Sequence, residues 1–299
     1  MSRHRASRYC GPAPPLSALP KPEDVVRSTI GQVLHEGCGR VIKLVELAGG
    51  QKVVVKYGVE VYKGEGEVMR LLRRQTNIPI PEVYHIVAYN DGVFLYLEYI
   101  PGENLADVLL RLKAHDPRRH ALCAKLVPIL DELHSMVAPP GTPIGNYASF
   151  PEWSHTRLNA LTLVPPRTLP PFSALTTSLD LINWIKSEFL ARPNGTDSSW
   201  ACCIEPGLDV NATVVLSHGD LHPWNVLVRD GEIVALLDWE RAGWYPLWVD
   251  ADVCAGNHMS MKDKKLKRVS LDLGGSVLGW PKMGEGHFRW VHVLRKFAQ

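Results

Sequence analysis

Val215-Leu216-Ser217-His218-Gly219-Asp220-Leu221-His222-Pro223-Trp224-Asn225-Val226-Leu227-Val228 is followed, across Arg229-Asp230-Gly231-Glu232, by Ile233-Val234-Ala235-Leu236-Leu237-Asp238-Trp239-Glu240. Two short apolar runs of β type flank a polar loop, and a turn then returns the chain along a third run. Each side delivers an aspartate at or near a strand end. Asp220 and Asn225 are five residues apart, and Asp238 comes back on the far side of the hairpin. The spacing is His-x-Asp-x-x-x-x-Asn, then Asp.

Upstream of this stretch, residues 41–47 alternate as a strand, 48–51 read as a turn, and 52–57 as the antiparallel partner. Residues 35–40 before them read as a loop holding Gly37 and Gly39. Residues 64–75 carry Val68, Leu71 and Leu72 at helical spacing, with Glu65 and Glu67 in the first turn where acids suit the helix dipole. Residues 83–87 and 93–99 are two further strands around Asn90-Asp91-Gly92. After Gly102 the period becomes helical at 105–113 and 121–134, with Pro128 expected to kink or divide the second segment. A proline-rich loop is expected over 139–172 and another helix over 179–190. Beyond Asp250 the one periodic segment is 287–297.

Phosphoryl transfer from a nucleotide requires a group to orient the accepting hydroxyl, oxygen ligands for magnesium, and positive charge on the phosphates. Asp220 has the chemistry for the first, and Asn225 and Asp238 are hard oxygen ligands of the kind magnesium prefers. His218 reads as a packed brace of the same catalytic loop. Lys56 ends a Val-Val-Val run, where a glutamate at the start of the next helix can hold it toward a phosphate. Glu65 and Glu67 compete for that part and differ by about 200° around a helix, so one alone faces the sheet. Gly37 and Gly39 stand where a backbone clamp over phosphates belongs. Leu97-Glu98-Tyr99-Ile100-Pro101-Gly102 joins sheet to helices, where backbone groups can meet a nucleotide base. No Walker A sequence is present.

These residues resemble the aminoglycoside phosphotransferase-like family of small-molecule kinases, relatives of the protein kinases, over about residues 28–249. The resemblance implies an α+β, two-lobed protein-kinase-like fold: a small antiparallel-sheet N-terminal lobe over 25–100 and a mainly helical C-terminal lobe over 101–250. It implies ATP and Mg2+ as cofactors, Asp220 as catalytic base, Asn225 and Asp238 as metal ligands, and Lys56 on the α- and β-phosphates with Glu65 as its partner. The backbone of Glu98 and Ile100 would take the adenine. Position 219 is glycine where protein kinases usually carry arginine, which favours a small-molecule acceptor over a protein. Asp-Phe-Gly and Ala-Pro-Glu are missing, which disfavours a protein kinase.

Composition sets the remaining bounds. A chain of 299 residues, 45% hydrophobic and 21% charged, can build a sizeable core, and a net charge of +2 points to no nucleic-acid or membrane partner. Six scattered cysteines without C-x-x-C spacing fit a reducing compartment, and a cytoplasmic protein is expected. Residues 1–24, with five prolines and no acid before Glu23, read as a disordered leader. Residues 251–299 diverge from the family pattern and hold nine Lys or Arg against four Asp or Glu. That balance would repel a polycation and points to a neutral or anionic hydroxyl acceptor. The divergence also leaves a second reading, a catalytically weak nucleotide-binding protein with a regulatory role.

Overall fold

The alternating apolar residues around Lys56 do build a sheet. A computed structural model describes residues 12–27, 30–37, 39–113, 116–147, 175–191, 196–198 and 208–250. The divergent 251–299 segment, most of the proline-rich loop and the periodic stretch at 287–297 lie outside the described residues. Described residues up to Glu103, with Leu227–Glu240, form one compact unit, and those from Asn104 to Val226, with the residues from Arg241 on, form another.

The first unit contains α1 (Pro22–Arg27), β1 (Gln32–Gly37), β2 (Arg40–Glu46), β3 (Lys52–Gly58), α2 (Lys63–Gln75), β4 (Val83–Tyr89) and β5 (Gly92–Glu98). Its sheet is antiparallel in the order β1-β2-β3-β5-β4. Side chains alternate along a strand, so Val53 and Val55 share one face, where they pack with Val25, Val45, Leu47, Phe94 and Tyr96. Lys56 points to the opposite face. There α2 comes close at Gly66, where a Cβ would press on Ile86 and Leu95, and the close approach lowers Glu65 toward the sheet.

Two expectations are corrected in this unit. Residues 35–40 are not a plain loop: Gly37 pairs with Arg40, and β1 extends the sheet as an edge strand. Its residues are almost all exposed, so no alternating pattern marks it. Nor are residues 12–24 a disordered leader. Tyr96 donates to the Pro20 carbonyl at 2.8 Å, Gln51 to the Pro12 carbonyl at 3.1 Å and Lys43 to the Val25 carbonyl at 2.7 Å. Pro22 occupies the first position of α1, where its missing N–H leaves no bond unmade, and the helix drops Val25 fully into the core.

The second unit holds α3 (Leu105–Arg111), α4 (Pro117–Ala124), α5 (Val127–His134) and α6 (Ser178–Leu190). Pro128 falls in the first turn of α5, so the expected single helix is divided there. Thr177 and Asp180 form a reciprocal capping box at the start of α6. This helix packs Leu181, Ile182, Ile185 and Phe189 against Tyr245, Trp248 and Val249. The chain passes between units at β6 (Glu103–Asn104). A small sheet then orders β7 (Gly145–Asn146), β11 (Gly243–Pro246) and β8 (Val214–Ser217), with β11 central. The hairpin of β9 (Val226–Arg229) and β10 (Glu232–Leu236) turns at Asp230 and Gly231, both with positive φ, the geometry that matches strand twist. Among the described residues no helix is long and apolar enough to cross a membrane.

Candidate active site

In the first unit the site is built on one buried lysine. Lys56 is 3% exposed, and its Nζ lies 2.8 Å from Glu65 Oε2, 2.6 Å from Asp238 Oδ1 and 3.2 Å from Glu240 Oε2. Burial pulls the ammonium down, but the three carboxylates outweigh it and hold Lys56 above its ordinary value. Burial pushes Glu65 up to about 7, with Asp238 and Glu240 adding repulsion and Lys56 opposing it. Glu67 is exposed on the outer side of α2, which leaves Glu65 as the residue facing Lys56. Asp238 sits at φ 63°, a left-handed conformation that aspartate tolerates better than most residues.

The sequence reading missed two members of this cluster. Glu240 lies two residues past Asp238 in a short 3-10 turn, and Arg40 opens β2 and ion-pairs with Glu240. Carboxylate oxygens of Glu65, Asp238 and Glu240 come within 4.8 Å of one another. Hard oxygens this close suit a divalent cation such as magnesium. A charged residue beside a glycine turn was the one signal for Arg40. Gly39 takes φ 70°, and a Cβ on Gly58 would overlap the Gly39 carbonyl, so the β1–β2 connection lies directly on β3. Gly37, at the other end of that connection, is the last residue of β1.

Glu98 and Ile100 lie at the end of this sheet. The Glu98 amide donates to the Glu82 carbonyl at 2.8 Å, and the buried Glu98 carboxylate accepts from the Glu82 amide at 3.0 Å. The Glu98 N–H is therefore committed within the sheet. Ile100 is buried against Val234 and Ala235 of the hairpin.

In the second unit, the loop between β8 and β9 carries His218, Asp220 and Asn225. His218 is fully buried, and its Nδ1 accepts from the Asp220 amide at 3.2 Å. A nitrogen that accepts cannot carry the proton, so the ring N–H of His218 is on Nε2. Asn225 Nδ2 donates to the Asp220 carbonyl at 2.9 Å, which leaves Oδ1 as the ligand-type atom of that side chain. Asp220 is 7% exposed, with Arg241 Nη1 at 3.4 Å from Oδ1 and His222 Nε2 at 3.8 Å from Oδ2. Arg241 thus holds Oδ1, while His222 stands beyond hydrogen-bond distance of Oδ2.

Beneath the loop lies a carboxylate that the sequence reading did not assign. Asp250 is fully buried and accepts from the amides of His218 at 2.9 Å and Gly219 at 2.8 Å, with His134 Nε2 at 3.1 Å. Burial works against its ionisation, but the bond and charge from His134, together with the Gly219 amide bond, hold it below the ordinary aspartate value. An aspartate directly after the apolar Trp248-Val249 was the available clue, since a carboxylate is seldom buried without partners. Gly219 has a local cause of its own. It takes φ 76°, and a Cβ there would overlap the Arg241 carbonyl, so glycine is required by packing whatever the acceptor is.

A model of a family described as "Phosphotransferase enzyme family" matches residues 56–283. No curated protein matches the sequence. Among solved structures, that of aminoglycoside phosphotransferase APH(4)-Ia is similar at 16% identity and a TM-score of 0.54, covering 90% of this chain and 86% of that one. A thermostable mutant of that protein, in ternary complex with ADP and hygromycin B, is similar at 17% identity and a TM-score of 0.53, covering 90% and 87%. At such identities the likeness concerns the fold, which is of the kinase-like phosphotransferase type.

Proposed function

This chain belongs to the phosphotransferase enzyme family, and from that membership we propose that it transfers the γ-phosphoryl group of ATP to a hydroxyl of a small molecule. One observation carries the reading: Lys56 is held at once by Glu65 from α2 and by Asp238 from the end of the hairpin. A lysine saturated by two carboxylates on two elements is fixed in place, as a phosphate-binding cation must be. The likeness in fold to an enzyme crystallised with ADP and hygromycin B is in keeping with it.

Lys56 takes the α- and β-phosphates, with Gly37 and Gly39 supplying backbone over them and the Glu98 and Ile100 backbone meeting the adenine. Asp220 accepts the proton of the acceptor hydroxyl as the new O–P bond forms and the bond from the γ-phosphorus to the ADP oxygen breaks. Arg241 keeps the Asp220 carboxylate oriented for that proton. Asn225 and Asp238 hold magnesium, which when bound neutralises phosphate charge. A neutral or anionic acceptor is expected from the basic balance of residues 251–299.

ADP release across a panel of neutral and anionic hydroxyl compounds and aminoglycosides, with mass spectrometry of the products, tests this. A phosphorylated neutral or anionic product is expected. Aminoglycosides as clearly the best acceptors would overturn the charge argument, and nucleotide binding without any transfer would support the regulatory alternative instead.

A further inference from the structure

Arg40 and Lys56 stand on the same face of the sheet for a reason visible in the register. Ile42 pairs with Lys56, and Arg40 pairs with Gly58, two residues further along β3. Because side chains alternate with a period of two, Arg40, Ile42 and Lys56 all project to one side. Both cations then converge on a single atom: Glu240 Oε2 accepts from Arg40 Nη1 and lies 3.2 Å from Lys56 Nζ.

The charges around this atom are unequal. Two cations, Lys56 and Arg40, face three carboxylates, Glu65, Asp238 and Glu240. Glu65, at 2% side-chain exposure, is locked on Lys56, whereas Arg40 is 23% exposed and Glu240 11%. Lys56 is thereby shared among three carboxylates, and a polyphosphate reaches it by displacing one of them. Arg40 follows the glycine-bearing connection, and its planar guanidinium matches phosphate geometry better than an ammonium does. An oxygen bridging two cations is also what a phosphate offers.

We propose that Arg40 is a second phosphate-positioning cation of the nucleotide site, and that Glu240 is the carboxylate that a terminal phosphate oxygen competes with for Arg40 and Lys56. This rests on the phosphotransferase reading and adds to it a residue pair and an exchange. AMP, which ends at the α-phosphate, does not reach the exchange, so ATP and AMP separate the two.

The test is equilibrium binding of ATP and AMP to the full chain, with EDTA and with magnesium, beside thermal unfolding. Arg40→Met should weaken ATP about tenfold and AMP less than about twofold, and Arg40→Lys should recover part of the loss. Steady-state kinetics should place the effect on KM for ATP more than on kcat. Glu240→Gln should tighten metal-free ATP, because a competing anion is gone. Equal weakening of ATP and AMP by Arg40→Met, or weaker metal-free ATP in Glu240→Gln, overturns the proposal. Should Arg40→Met not fold, Arg40→Lys and Glu240→Gln decide it by the same ATP-to-AMP ratio. Failure of the unaltered protein to bind ATP would overturn the phosphotransferase reading itself.

Discussion

The charged cluster around Lys56 and the polar network around Asp250 are both buried, and they solve burial in opposite ways. Lys56 is answered by charges on side chains from α2 and the hairpin end. Asp250 is answered by two backbone amides and a histidine. Side-chain partners can be exchanged for a ligand's charges, whereas backbone donors hold one shape. The first arrangement suits binding of a variable, multiply charged ligand. The second suits a loop that must keep one shape around Asp220.

The largest effect is expected on the rigid side. Asp250→Ala leaves two buried amides without their acceptor and should cost about 3–5 kcal/mol in urea unfolding. Asp250→Asn should be milder and should reveal the sign of the pH effect. A carboxyl held below the ordinary value of 3.8 contributes stability above that value and loses it as pH falls through the lower folded value. The substitution should therefore flatten the acid limb below about pH 4.

Gly219→Ala comes next. It forces a positive φ on a residue with a Cβ and drives that atom onto the Arg241 carbonyl, for about 1–3 kcal/mol from the backbone alone. Turnover should fall further than stability, because Asp220 is the next residue. Unchanged turnover would break the contrast, since the loop would then tolerate movement.

A pH-dependent effect belongs to the exchangeable side. Glu65 is raised from 4.5 to about 7, so the folded state binds its proton more tightly than the unfolded chain. Stability should fall as pH rises through that window, the reverse of the Asp250 trend. Glu65→Gln should remove the slope, and its unfolding free energy relative to the parent should improve from pH 4.5 to 7. A parallel pH course in both proteins would contradict the buried, repelled carboxylate.

Much of this contrast was legible in the sequence and part was not, for identifiable reasons. The period-two pattern of β2, β3 and β5, the helical spacing in α2 and the break at Pro128 follow from local rules. Lys56 and Glu65 could be paired by analogy of order, whereas the ion pair of Lys56 with Asp238 was not expected. Asp250 and His134 could not be tied to the loop, because they lie 32 and 84 residues from His218 and their bond depends on packing of distant elements. The edge strand β1 shows no buried alternation, and α1 hides behind prolines that mimic a loose leader. Arg40 and Glu240 are 200 residues apart, beyond any local pattern. Gly219 was read as a sign of the acceptor, while the Arg241 carbonyl supplies a steric cause that no sequence window contains.

The division of labour is tested most directly by measuring ATP binding and phosphoryl transfer together in Lys56→Met and Asp220→Asn. Lys56→Met should lose nucleotide affinity by at least about tenfold and turnover with it. Asp220→Asn should keep ATP affinity within about threefold while turnover falls by about a hundredfold or more. Full turnover in Asp220→Asn would contradict the assignment of the base and, with it, the account of why the loop is held so firmly.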